Sequence, residues 1–205
     1  MPRSTPSATC RGPCAAAGCP GPSPAAGCPG PYLAAGGSGS CPPAGCAALG
    51  VLRWQFRLVH LRLEHGLDAC VAETGRRRPD LLARASVTYA HSVVREDLSV
   101  HGLLVVGGVP LALGPWRGRT GLSELPPIGG RRTWQAWSTR LVCDLALLRV
   151  YAQAVHAATD AALAADPHAT AACAPYTLRL LGAIVLTAAA SAAKLAALAP
   201  PEPPA

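Results

Sequence analysis

Leu52, Phe56, Val59, Leu63, Leu67 and Cys70 recur at intervals of three or four residues. That spacing is the repeat of an α-helix buried along one face, and it predicts a helix from about Ala47 to Glu73. His60 belongs to the same stripe, four residues after Phe56 and three before Leu63. Gly75 and the arginines behind it end the run. A second stripe, Val87, His91, Val94, Leu98, His101 and Val105, predicts a helix from Leu82 or Ser86 to Val106, closed by Gly107-Gly108 and Pro110. Trp134, Trp137, Leu141, Leu145, Leu148, Ala152, Val155 and Thr159 trace a third, unbroken helix from an N-cap at Thr133 to about Ala165. The fourth starts at Pro175, passes Leu180, Leu181, Ile184 and Val185, and stops at Pro200-Pro201. Its uncharged run before Lys194 spans residues 180–193 and is largely alanine. A membrane crossing needs roughly 20 apolar residues, so the run reads as a buried helix and no membrane contact is expected.

Four amphipathic helices with otherwise short connections predict an all-α fold, an up-and-down four-helix bundle over residues 47–199. Strand signals are weak, confined to a short extended stretch from Leu103 to Leu113. The connection between the second and third helices runs to Arg132, and a loop that long inside one domain is functional or packed over an opening. Residues 1–46 differ in kind: Pro, Gly, Ala and Cys dominate, and the phrase Ala-Ala-Gly-Cys-Pro-Gly-Pro occurs twice. Such a segment cannot bury enough surface to offset chain entropy, so a disordered N-terminal extension is expected, with a Pro-rich tail at 200–205.

The formal charge of +7 first suggests a nucleic-acid partner, but 17 of the 18 basic residues are Arg and they are dispersed. The one dense run, Arg76-Arg77-Arg78, has no interleaved aromatics, and a solvated loop accounts for it. No nucleic acid is expected. Six of the nine cysteines (Cys10, Cys14, Cys19, Cys28, Cys41 and Cys46) lie in the extension at spacings that fit no zinc knuckle. The first residues lack the apolar core of a secretory signal, so a cytoplasmic chain without a disulfide framework is expected. No GxSxG, P-loop, GxGxxG or HExxH string occurs.

Three strings resemble one family. Tyr89-Ala-His-Ser-Val-Val-Arg-Glu-Asp97, Gly114-Pro-Trp-Arg-Gly-Arg-Thr-Gly-Leu-Ser-Glu-Leu-Pro-Pro127 and Asp144 to Asp160 look like the second helix, crossing loop and third helix of a bacterial branch of the DinB-like (YfiT-like) metalloenzyme superfamily. The resemblance covers about Leu49 to Asp166. It implies a four-helix bundle, often dimeric, in which histidines from several helices hold one divalent metal (zinc, nickel or iron). It also implies a small-molecule thiol as reaction partner in some relatives, and a homodimer as assembly.

Carried onto this chain, the resemblance makes His60 the first-helix ligand and His91 the second-helix ligand. The last helix lacks the family's histidines, and Lys194 stands where an acidic residue would be, so the site is incomplete. His101 or Glu96 is a substitute third ligand; His65, His156 and His168 are expected to face solvent. Glu96-Asp97 is a base, a partner to a histidine, or by default a polar face. The implied function is a metal-dependent enzyme of thiol-transferase or hydrolase ancestry. The alternative is a non-catalytic bundle that has lost its metal and serves interaction or dimerisation.

Overall fold

The computed structural model describes residues 43–74, 78–104, 108–164 and 175–199. The extension up to residue 42, the arginines at 76 and 77, His168 and the tail at 200–205 lie outside the described residues. The described chain is all-α. Helix α1 spans Pro43–Thr74, α2 Pro79–Leu104, α3 Arg131–Arg140, α4 Leu145–Ala164 and α5 Pro175–Leu198, with a 3₁₀ turn at Leu111–Leu113. Proline opens α1, α2 and α5, at the one helical position where its missing N–H costs nothing. The first helix thus starts four residues earlier than its stripe suggests, inside the segment expected to be disordered.

The α1 stripe is buried as its spacing requires, with Leu63, Leu67 and Cys70 fully inside. Each such leucine stabilises the fold by about 1.5–3 kcal/mol. On α5, Leu181, Val185, Ala188, Ala192 and Leu195 form the matching inner stripe, packed on α1 and α2. Gly66 of α1 allows this close approach, since a side chain there would meet the Leu195 Cβ at 3.0 Å. By length and composition the complete α5 is long and apolar enough to cross a membrane, a test that a buried core helix also passes.

His60 and Glu64 of α1 meet Glu96 and Tyr89 of α2. Arg57, His60 and Asp68 meet Asp160, His156 and Arg149 of α4. Numbers rise along α1 as they fall along each partner, so α1 runs against both helices, and α2 and α4 run the same way. Leu82 and Ser86 near the start of α2 and Leu145 at the start of α4 accordingly line one cavity. The strict alternation of directions expected from the sequence is therefore not adopted, because the long connection carries the chain back to the end where α2 began.

The single third helix expected from Thr133 is two helices. Gly130, not Thr133, caps α3, and α3 stops at Leu141 in extended backbone. Asp144 then caps α4, its Oδ1 accepting from the Ala146 and Leu147 amides at 3.0 and 3.2 Å. Between the helices the crossing loop pairs with the chain. Leu122 and Cys143 form an isolated bridge, the only sheet pairing among the described residues, and the Asp144 amide donates to Gly121 O at 2.7 Å. Leu103 and Leu104 belong to α2, and Leu111–Leu113 form the 3₁₀ turn rather than an extended stretch. The loop's Trp116 packs against Tyr151, ring centroids 5.9 Å apart, so the loop closes onto the helices.

Gly121 makes this crossing possible. Its φ is +76°, and an added Cβ would lie 2.5 Å from both Asp144 O and Leu148 N. Gly121→Ala is expected to destabilise the protein by about 2–3 kcal/mol, read as a lower urea midpoint at unchanged slope. Gly118→Ala, also at positive φ but in open space, should cost less.

Candidate metal centre

Three helices bring His60, Glu96 and His156 together, and one ligand atom from each lies within 4.8 Å of the other two. Glu96 is 1 % exposed, which makes it a buried carboxylate rather than the surface residue expected by default. A buried carboxylate must be paired or hydrogen-bonded. His60 Nε2 lies 3.0 and 2.9 Å from the two Glu96 oxygens, and Thr159 Oγ1 donates to Glu96 Oε1 at 2.6 Å. Phe56 tilts against the His60 ring, centroids 5.8 Å apart.

His156 is the residue the sequence reading misplaced. It does not face solvent: its ring stacks on His60 with centroids 3.7 Å apart and planes 8° from parallel. Its Nε2 is buried and has no hydrogen-bond partner. Burial pushes the His156 imidazole down to about 4, with Glu96 opposing and His60 reinforcing the effect. At neutral pH it is uncharged, the form that binds metal.

A polar seam continues along α1 and α4 on both sides of the cluster. Arg53 and Arg57 each donate two hydrogen bonds to Asp160, at 2.7–2.9 Å. These bonds hold the Asp160 carboxyl well below the usual carboxylate range. Arg57 is three residues before His60 and Asp160 four after His156, so this clasp lies one turn from the imidazoles. In the other direction Tyr89 donates to Glu64, and Arg149 pairs with Asp68.

His91 does not join the cluster. It is half-buried, its ring edge-on to Trp134 with centroids 4.9 Å apart. It lines a cavity of about 540 Å³ with Arg95, Arg131, Trp134 and Gln135, and no carboxylate lines that cavity. Burial, then the charges of Arg95 and Lys194, lower its pKa. This cationic surrounding opposes a metal ion.

His101 also stands outside the cluster. Its Nδ1 lies 2.9 Å from Asp97 Oδ1, and the bond to Asp97 raises its pKa. Asp97 is fully buried and also accepts from the Leu111 and Ala112 amides and from the Tyr151 hydroxyl, each at 2.8 Å. Glu96 and Asp97 thus divide two tasks. Glu96 completes the imidazole cluster, and Asp97 fastens the crossing loop to α2 and α4. His65 is exposed, as expected.

Sequence could have found His156. It falls four residues after Ala152 and three before Thr159, both fully buried, the relation that marked His60 on α1. No protein-family profile, no curated protein and no solved structure matches this chain.

Proposed function

We propose that α1, α2, α4 and α5 form a four-helix bundle of the DinB-like kind that holds one divalent metal, zinc or iron(II), on His60, Glu96 and His156. One observation carries this reading: a buried imidazole nitrogen without a partner stands beside a second imidazole and a carboxylate, on three different helices. Two imidazoles and one carboxylate are a known ligand set for catalytic zinc and non-haem iron, and they leave coordination positions open. Bound there, the metal would supply Lewis acidity to a weak nucleophile such as water or a thiol.

The chain's own residues support that chemistry. Thr159 occupies one Glu96 oxygen and so orients the carboxylate. Phe56 and the stacked His156 fix the His60 ring. Arg53 and Arg57 share the single carboxylate of Asp160, so one positive charge is left over beside the centre. That excess favours an anionic reactant, and a small-molecule thiolate meets the requirement. The enzyme reading, with thiol-transferase or hydrolase ancestry, rests on this site rather than on the fold.

Metal analysis after dialysis against zinc tests the proposal. The extension's cysteines are blocked by alkylation first. One ion per chain is expected for the parent protein and none for His60→Ala. Equal metal in both would remove the site. A second reading, a non-catalytic dimerisation bundle, is favoured by Val51, Trp54 and Leu61, which α1 leaves 56 %, 63 % and 69 % exposed. A metal-free dimer split by Trp54→Lys, detected by sedimentation, would support it.

A further inference from the structure

Between α2 and α5 lies a cleft of about 420 Å³ with no part in the metal centre. Leu98, Leu180, Ile184 and Ala188 make it apolar, while Ser92, Arg95 and Ser99 place polar groups along its α2 wall. Ser92 has unmet bonding capacity, and Arg95 offers a charge. Ser92 is 3 % exposed, yet its Oγ has no hydrogen-bond partner. A helical serine or threonine ordinarily donates to the carbonyl one turn back, as Ser86 does to Leu82 and Thr88 to Arg84 on this same helix.

Arg95 lies with its guanidinium carbon 5.5 Å from the centre of the Trp134 ring. Arg95 is exposed, and among the described residues no carboxylate pairs with it, as with Arg62 and Arg179 and unlike Arg53 and Arg57. The fork of a guanidinium matches a carboxylate, and its donors here are unclaimed by any acid.

We propose that this cleft binds a small organic acid with an apolar body, such as a medium-chain carboxylate. Its carboxylate lies against Arg95, with one oxygen accepting from the Ser92 hydroxyl. Its carbon chain lies on Leu98, Leu180 and Ile184. No acidic residue lines the cleft, so a cationic ligand finds no partner there. A neutral ligand would give the guanidinium no counter-charge, which disfavours it relative to a carboxylate. An apolar cavity of this size with a few converging polar groups is the usual form of a small-molecule site.

Calorimetric titration of the full chain with octanoate tests the proposal, with octanol and octylamine as matched chains of other charge. Octanoate is expected to bind at one site per chain and at least tenfold more tightly than either analogue. Arg95→Gln should weaken octanoate tenfold or more, and Ser92→Ala severalfold. Ala183 is exposed on α5 and lines the cleft, so Ala183→Trp should fill it and abolish binding without disturbing the core. Absence of octanoate binding, equal binding of octanol, or unchanged affinity in Arg95→Gln or Ala183→Trp would overturn the assignment. The readout needs no metal, so its failure leaves the histidine cluster untouched.

Discussion

Replacing Asp97 with alanine is expected to lower the folding free energy by about 3–5 kcal/mol, the cost of leaving a buried charge network without its acceptor. Two backbone amides, the Tyr151 hydroxyl and His101 all converge on this one fully buried carboxylate. In the alanine variant the Ala112 amide and the Tyr151 hydroxyl lose their acceptor, His101 keeps only its contact with the carbonyl of residue 97, and the 3₁₀ turn loses its tie to α2. Native domains are stable by only about 5–15 kcal/mol, so much of the margin would go. Asp97→Asn keeps the shape and should cost less.

The same network sets a pH dependence. Burial alone would raise the Asp97 carboxyl. The hydrogen bonds from His101, the Ala112 amide, Tyr151 and the Leu111 amide outweigh it and hold the group below its usual range. A depressed carboxylate adds stability above its unfolded pKa of about 4 and loses it as pH falls through the folded value. His101 is shifted the other way by its bond to Asp97. Its contribution is complete below an unfolded pKa of about 6.5 and is lost as pH rises through the raised folded value. These are two views of one pairing and are not summed. Denaturant midpoints should therefore be highest between about pH 4 and 6.5, and both flanks should flatten in Asp97→Ala.

Replacing His156 with alanine is expected to weaken zinc binding by about 100-fold or more, since even residues behind the ligands account for about 10–100-fold. His156 separates metal binding from folding better than Glu96 does. Glu96 also accepts from His60 and Thr159, so its loss strands two buried donors. His156 Nε2 makes no hydrogen bond, and removing the ring should cost the fold little beyond its contact with His60. Zinc at 1,000 times its Kd would stabilise the parent protein by about 4 kcal/mol. In His156→Ala the same zinc concentration is at most about 10 times Kd, so the stabilisation should fall to about 1.4 kcal/mol or less and the rise in Tm should shrink accordingly. An equal rise in both proteins would count against His156 as a ligand.

Much of the helical content was legible because burial on α1 and α5 is written in apolar side chains. On α2 the inner face is partly polar. The stripe through Val87, His91, Val94 and Leu98 is rotated from the true one, whose centre runs through Tyr89, Val93, Glu96 and Val100. Two adjacent acids looked like a solvated face, so the sequence turned His91 inward and left Glu96 outside. The structure buries Glu96 and leaves His91 half-buried against Trp134. The break between α3 and α4 was hidden for a related reason. Trp137, Leu141 and Leu145 continue an apolar pattern at helical spacing, and the cap at Asp144 is recognisable only once the loop at Gly121 lies against it. His156 was lost to its neighbours: beside Gln153 and Ala154 it reads as surface, and only its helical partners Ala152 and Thr159 show which way it points.

Cobalt(II) titration followed by visible absorption tests the central claim most directly, because thiolate ligation by the extension's cysteines adds an intense near-ultraviolet band that nitrogen and oxygen ligands lack. A one-to-one d–d spectrum without that band is expected, abolished in His156→Ala and unchanged in His91→Ala. A spectrum carried only by thiolate, one that survives His156→Ala, or one that disappears with His91 would contradict it.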